Sequence, residues 1–132
     1  MGGNISSFVT EQISRLSGKS QWEADNALHT LMEMGLTVKD DLIRAFKDER
    51  RTAVKVDILH ILWQSRDPSI SPFLLEAMAS SEPTLWKQAL DGLASISNGR
   101  EYLLQALELA NSRHEQDKIQ FIVEAISDFE GP

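Results

Sequence analysis

Histidine and carboxylate side chains are the groups in this sequence that could ligate a metal or carry a proton, and four of them recur at a nearly constant interval. His29, His60, Asp91 and Glu124 stand 31, 31 and 33 residues apart. Imidazole and carboxylate are competent metal ligands, so this ladder would be a metal centre if its rungs converged. Neighbouring helix axes lie about 8 to 10 Å apart, however, and one ligand per helix strung over three such gaps cannot close on one ion. No metal and no cofactor is expected, and His29 and His60 are read as solvated groove residues.

Other reactive arrangements fall away in turn. His114-Glu115 opens like the metalloprotease motif H-E-x-x-H, but Lys118 occupies the place of the second histidine. The chain has no cysteine, which removes thiolate ligands, cysteine nucleophiles and disulfides. No glycine-rich phosphate loop exists, and no serine sits in a nucleophile elbow. Catalytic residues are therefore none, and the protein is expected not to be an enzyme. Met1 to Ser6 fits the short pattern for myristoylation at Gly2, but no basic patch follows it and no membrane association is expected.

The interval near 31 comes from repeated helix pairs. Residues 67–98 read DPSISPFLLEAMASSEPTLWKQALDGLASISN. Pro72 and Pro83 fall where a first helical turn tolerates proline, and the spacing predicts a helix over 71–79, a break at 80–83 and a second helix to about residue 96. Leu74, Leu75 and Met78 form the apolar stripe of the first, and Leu85, Ala89, Leu90, Leu93 and Ile96 that of the second. Upstream, Leu42, Ile43 and Phe46 precede Val54, Ile58, Leu59 and Leu62. Downstream, Leu103, Leu104 and Leu107 precede Ile119, Ile122, Val123, Ile126 and Phe129, with a longer break at 111–115. At the start, Phe8, Val9, Ile13 and Leu16 precede Ala24, Ala27, Leu28, Leu31 and Met34. The spacing predicts an all-α chain, an α-solenoid of about four helix pairs, about eight helices, in a single domain over 1–132.

The repeat resembles the short bacterial-type HEAT-like repeats, carried by Asp67-Pro68, Pro72, Leu74, Ala77, Pro83, Leu85, Ala89, Leu93 and Ile96, and in the preceding unit by Leu42, Ala45, Lys47-Asp48 and Val54-Lys55. Trp86 replaces an arginine of that pattern and Trp63 a glycine. The resemblance implies a binding scaffold whose second helices line a concave face.

The outward positions of those helices define the expected partner-binding residues: Trp22, Asp25 and His29, then Asp57 and His60, then Lys87 and Asp91, then Gln120, Phe121, Glu124 and Asp128. Trp22 and Phe121 are aromatic on otherwise polar stripes, the usual character of an interface anchor. Trp63 and Trp86, nearer the apolar stripes, are read as packing residues.

Net charge is −7, and its placement is uneven. Residues 1–66 hold nine acids and nine bases, whereas residues 67–132 hold eleven acids and four bases. A field of that sign repels phosphate backbones and attracts basic partners, so a protein with a basic face is the expected partner and nucleic acid is not. No secretory signal or membrane-spanning run is present, and the protein is read as cytoplasmic. Small immunity proteins that neutralise a cognate bacterial toxin are similar in size, acidity and repeat type. The alternatives are an adaptor or regulatory subunit of an enzyme complex, and the HEAT-like DNA glycosylases and pigment lyases. A glycosylase needs a cationic groove, which the net charge opposes, and a pigment lyase needs an apolar one.

Overall fold

The computed structural model describes residues 2–18 and 20–130, with the side chains of 7–18 and 20–129; the Gly2 pattern lies outside those side chains. The protein is all-α, with no strand among the described residues. None of the described helices is long and apolar enough to cross a membrane. The chain divides into two compact units, Met1–Ser65 and Arg66–Pro132.

The first unit holds α1 (Gly2–Leu16), α2 (Gln21–Met34), α3 (Lys39–Asp48) and α4 (Thr52–Gln64). The Ser20 hydroxyl starts α2 by accepting the Glu23 amide at 3.1 Å, satisfying one of the donors that a helix start leaves without an intrahelical partner. Gly35 ends α2 at φ 56°, a left-handed conformation that costs glycine little, and its amide donates to the carbonyls of Leu31 and Met32. A 3-10 turn, Gly35–Val38, then buries Val38. α3 opens with Asp40 and Asp41 and closes with Lys47, each sign at the helix end it favours.

Three residues join α3 to α4, and Glu49 organises them. Its carboxylate accepts the backbone amides of Arg50 and Arg51 at 3.1 and 3.0 Å and the Arg51 guanidinium at 2.9 Å. Arg51 reaches on to the Ser17 hydroxyl, tying this turn to the one after α1. α1 packs on α2, α3 and α4, and α2 and α3 each pack on α4. Val9, Ile13, Leu16, Ala27, Leu31, Leu42, Val54, Ile58, Leu59 and Leu62 are buried in this unit, together with Gln12. Phe8, expected on the α1 stripe, is exposed instead: it directly precedes Val9, about 100° round the helix from it.

The second unit holds α5 (Ser71–Met78), α6 (Pro83–Ser95), α7 (Gly99–Ser112) and α8 (Gln116–Glu130). The helices expected over 71–79 and from the break at 80–83 to about residue 96 therefore each end one residue sooner, the second opening at Pro83, with both prolines in first turns. α5 packs on α6 and α7, α8 packs on α7 and α6, and α6 packs on α7. Asp67 caps the 3-10 turn Pro68–Ile70 by accepting the Ser69 amide at 2.8 Å. The buried Ser71 hydroxyl donates to Asn98 at 2.6 Å, and Asn98 donates to the Pro68 carbonyl at 3.2 Å. Gly99 completes this turn because a Cβ there would collide with the Leu93 carbonyl.

Two expectations in this unit are corrected. The break between α7 and α8 is confined to 113–115, shorter than the expected 111–115, because α7 runs on through Ser112 with no proline to stop it; His114, at φ 58°, makes the turn. Leu104 and Val123, assigned to core stripes, are 41% and 48% exposed. Ala106, Ala110 and Ala125 are buried in their place, since short side chains let two helix backbones approach closely while the larger residues remain at the flank.

Candidate protein-interaction site

The contact between α6 and α8 is built around an indole. Trp86 is 4% exposed, and its ring meets the Phe121 ring edge-on, centroids 5.6 Å apart and planes at 67°. That geometry sets the positive edge of one ring against the negative face of the other. Phe121 itself remains 41% exposed. Lys87, one residue beyond Trp86, places its ammonium 4.9 Å from the Phe121 centroid and 5.6 Å from that of Trp86, within cation–π range.

Beneath this pair lies a buried cation. Lys118, on the first turn of α8, donates to the carbonyls of Met78 and Ser80 at 2.8 Å each and pairs with Glu115 at 2.9 Å. Those two carbonyls belong to the end of α5 and the loop after it, where a helix leaves acceptors without intrahelical donors. An ammonium has three protons, and all three have acceptors here. Its nitrogen also stands 5.9 Å from the Trp86 ring. An open hollow of about 250 Å³, lined by Ser81, Pro83, Trp86, Glu115, Gln116, Asp117 and Lys118, adjoins it.

Of the residues expected at the site, the structure brings Lys87 and Phe121 together. Asp91 is exposed one turn beyond Lys87 on α6, and Gln120, Glu124 and Asp128 are exposed on α8. Offsets of three and four residues keep Phe121, Glu124 and Asp128 on one side of the helix. The α6–α8 face is thus an aromatic residue on a rigid base, with one lysine and several carboxylates around it.

In the first unit, Trp22 is 76% exposed at the start of α2 and lines an open hollow with Arg15, Ser20, Glu23 and Asn26. Asp25 accepts a hydrogen bond from Gln21 at 2.7 Å, and His29 is exposed one turn further along. On α4, Gln64 Nε2 lies 2.6 Å from His60 Nε2, and the His60 ring stacks obliquely on Trp63 with centroids 5.4 Å apart. Asp57 is half-buried; burial pushes its carboxyl above the ordinary carboxylate range, with the charge of His60 acting the other way. Among the described residues, no three or more His, Asp or Glu side chains form a group that could hold a metal ion.

Lys118 is the residue whose role sequence reasoning missed, having registered only as the lysine that spoils H-E-x-x-H. The signal was present: Lys118 stands four residues before Ile122 on the buried stripe of α8, a position where a charged side chain needs built-in partners. Trp86 was correctly read as a packing residue, but its contact with Phe121 was not foreseen.

Fold and site together define an all-helical protein with an aromatic, acid-rimmed face. No known protein-family profile matches the chain, and no curated protein is significantly similar to it.

Proposed function

We propose that this protein is a short HEAT-like α-solenoid that acts by binding, capturing a protein partner with a basic face on the surface of α6 and α8. The observation that carries the reading is Phe121: a large aromatic ring displayed to solvent, yet held by the buried Trp86 and covered on one side by Lys87. A side chain held in place loses little conformational entropy on binding, which is what makes such residues interface anchors. Asp91, Glu124 and Asp128 supply the negative rim that attracts a basic partner. The second unit, 66–132, holds eleven acids against five bases, whereas 1–65 holds nine against eight. The solenoid reading is supported within each unit by helices that pack both on their hairpin mate and on the like member of the next pair, as α6 does on α5 and α8. Trp22, Asp25, His29, Asp57 and His60 are the binding residues that this reading assigns to the first unit by itself, on α2 and α4.

Neutralisation of a basic toxin by an immunity protein is the biological role that this chemistry suits best, and an adaptor holding a basic segment of an enzyme complex suits it next. The test is affinity capture from the native cytoplasm with the wild-type protein and with Phe121→Ala/Glu124→Lys as parallel baits. A basic protein retained by the wild type, released by salt and missing from the variant supports the reading. Identical retention on both baits ends it.

A further inference from the structure

We propose that Asn98 is a modification site: it deamidates to aspartate and isoaspartate without an enzyme, by attack of the Gly99 backbone nitrogen, and does so only when the turn between α6 and α7 opens. This does not rest on any binding partner. The sequence has four asparagines, Asn4, Asn26, Asn98 and Asn111, followed in turn by Ile5, Ala27, Gly99 and Ser112. A side chain on the following residue hinders its nitrogen from reaching the asparagine Cγ, and glycine has no side chain. Asn98–Gly99 is therefore the most reactive of the four pairs.

Packing itself demands this pair. Gly99 is buried, and a Cβ there would collide with the Leu93 carbonyl. Asn98 serves as acceptor and donor at once, taking the Ser71 hydroxyl on Oδ1 at 2.6 Å and giving Nδ2–H to the Pro68 carbonyl at 3.2 Å. An ionised aspartate only accepts, so it cannot make the second contact.

In the reaction, the Gly99 nitrogen loses its proton to hydroxide and bonds to Asn98 Cγ. The Cγ–Nδ2 bond then breaks, and the nitrogen takes a proton from water and leaves as ammonia. One water reopens the resulting five-membered imide. Attack at Cγ yields aspartate, whereas attack at the main-chain carbonyl carbon yields isoaspartate, whose backbone is longer by one methylene. Net, one water enters and one ammonia leaves, with no oxidant, reductant or cofactor.

The native turn holds the reactants out of reach. Gly99 N–H donates to the Ile96 carbonyl at 2.9 Å, and both ends of the Asn98 amide are held as described. At ψ 10°, the Gly99 nitrogen nearly eclipses Asn98's own nitrogen, whereas ring closure needs it to eclipse Asn98 Cβ. That rotation would carry Gly99 away from Leu93 and break all three hydrogen bonds. Reaction therefore passes through a locally opened turn, whose population sets the rate. Isoaspartate then lengthens the chain where Gly99 has no spare room, and the link from α7 back to Ser71 on α5 cannot re-form.

The test follows each asparagine by peptide mapping and mass spectrometry in wild-type protein held at mildly alkaline pH, beside a synthetic peptide of residues 95–101. Asn98 should gain the mass of deamidation before Asn26 or Asn111, yet about tenfold or more slower than in the peptide. That slowing should be at least as large as the protection of the Gly99 amide against hydrogen exchange, since both processes need this N–H released from Ile96. Ser71→Ala should speed the reaction at Asn98 by about threefold or more by removing one of the three bonds, while Asn26 keeps its rate. If Ser71→Ala proves unfolded, the comparison with Gly99 exchange in the wild type decides alone. Reaction at Asn98 as fast as in the peptide, slowing smaller than the Gly99 protection, an unchanged rate in folded Ser71→Ala, or earlier reaction at Asn26 or Asn111 would each overturn the proposal. So would an Asn98 that stays intact in both proteins.

Discussion

Trp86 and Phe121 meet edge to face with centroids 5.6 Å apart, one ring buried and the other displayed. The pair joins a packing side chain to a displayed one. Trp86→Ala should leave a large cavity between α6 and α8 and cost about 3 to 5 kcal/mol in urea unfolding. Phe121→Ala should cost only about 1 kcal/mol, the scale of an aromatic pair contact at a half-wet position. Equal losses would show that Phe121 is a packing residue and not a displayed one.

Lys118 should be a keystone of the second unit. Lys118→Met keeps the aliphatic bulk but strips the Met78 and Ser80 carbonyls of their donor, and unfolding free energy should fall by about 2 to 4 kcal/mol. Glu115→Gln leaves both carbonyl contacts in place and should cost about 1 kcal/mol. A Lys118→Met protein as stable as the wild type would mean that water caps the end of α5 unaided.

These contrasts mark where the sequence was legible. The α5 and α6 spans were readable because proline and bulky apolar residues agree there: Pro72 and Pro83 allow only a first-turn position, and Leu85, Ala89, Leu90, Leu93 and Ile96 are all buried. The phase of α7 and α8 was partly hidden, because alanine gives a weak apolar signal and yet Ala106, Ala110 and Ala125 occupy buried positions. Counting Leu104 and Val123 as core treated hydrophobicity as burial, which fails on a helix flank that no neighbour covers. Tertiary partners were invisible altogether: nothing near Lys118 in sequence announces that its acceptors include residues 78 and 80. Of the expected site, the α8 stripe was readable as an aromatic among acids, but not the Lys87–Phe121 contact, which depends on how two helices approach.

Glu49 gives the first unit an acid-sensitive turn. Hydrogen bonding to the Arg51 side chain, with further bonds from the amides of Arg51 and Arg50, lowers its pKa from 4.5 to about 2. The folded state therefore releases this proton more readily than the unfolded chain. The resulting stability is complete above about pH 4.5 and is lost as pH falls through about 2. Chemical unfolding at a series of pH values should find Glu49→Gln less stable than wild type near neutrality, with the gap closing toward pH 2. A gap independent of pH would show that the carboxylate charge has no part in the turn.

Asp57 should behave in the opposite sense. Burial raises its folded pKa, outweighing the opposing effect of His60, so its contribution is present below the ordinary value of 3.8 and lost as pH rises through the folded one. Asp57→Asn should stabilise the protein at neutral pH, with no gain below pH 3.8. Destabilisation at pH 7 would mean that the ionised carboxylate has a partner stronger than its desolvation cost.

Binding kinetics with the captured partner at two ionic strengths test the central claim most directly. Rim carboxylates act on encounter, and a desolvated anchor acts on escape. Stopped-flow association of Asp91→Lys/Glu124→Lys should be slower than wild type at low salt and should lose most of its salt dependence. Phe121→Ala should associate at a rate within about twofold of wild type and dissociate about 30-fold faster, the scale of an interface hot spot. Wild-type association and dissociation rates in all of these variants, at both ionic strengths, would contradict the account and remove the partner from the α6–α8 face.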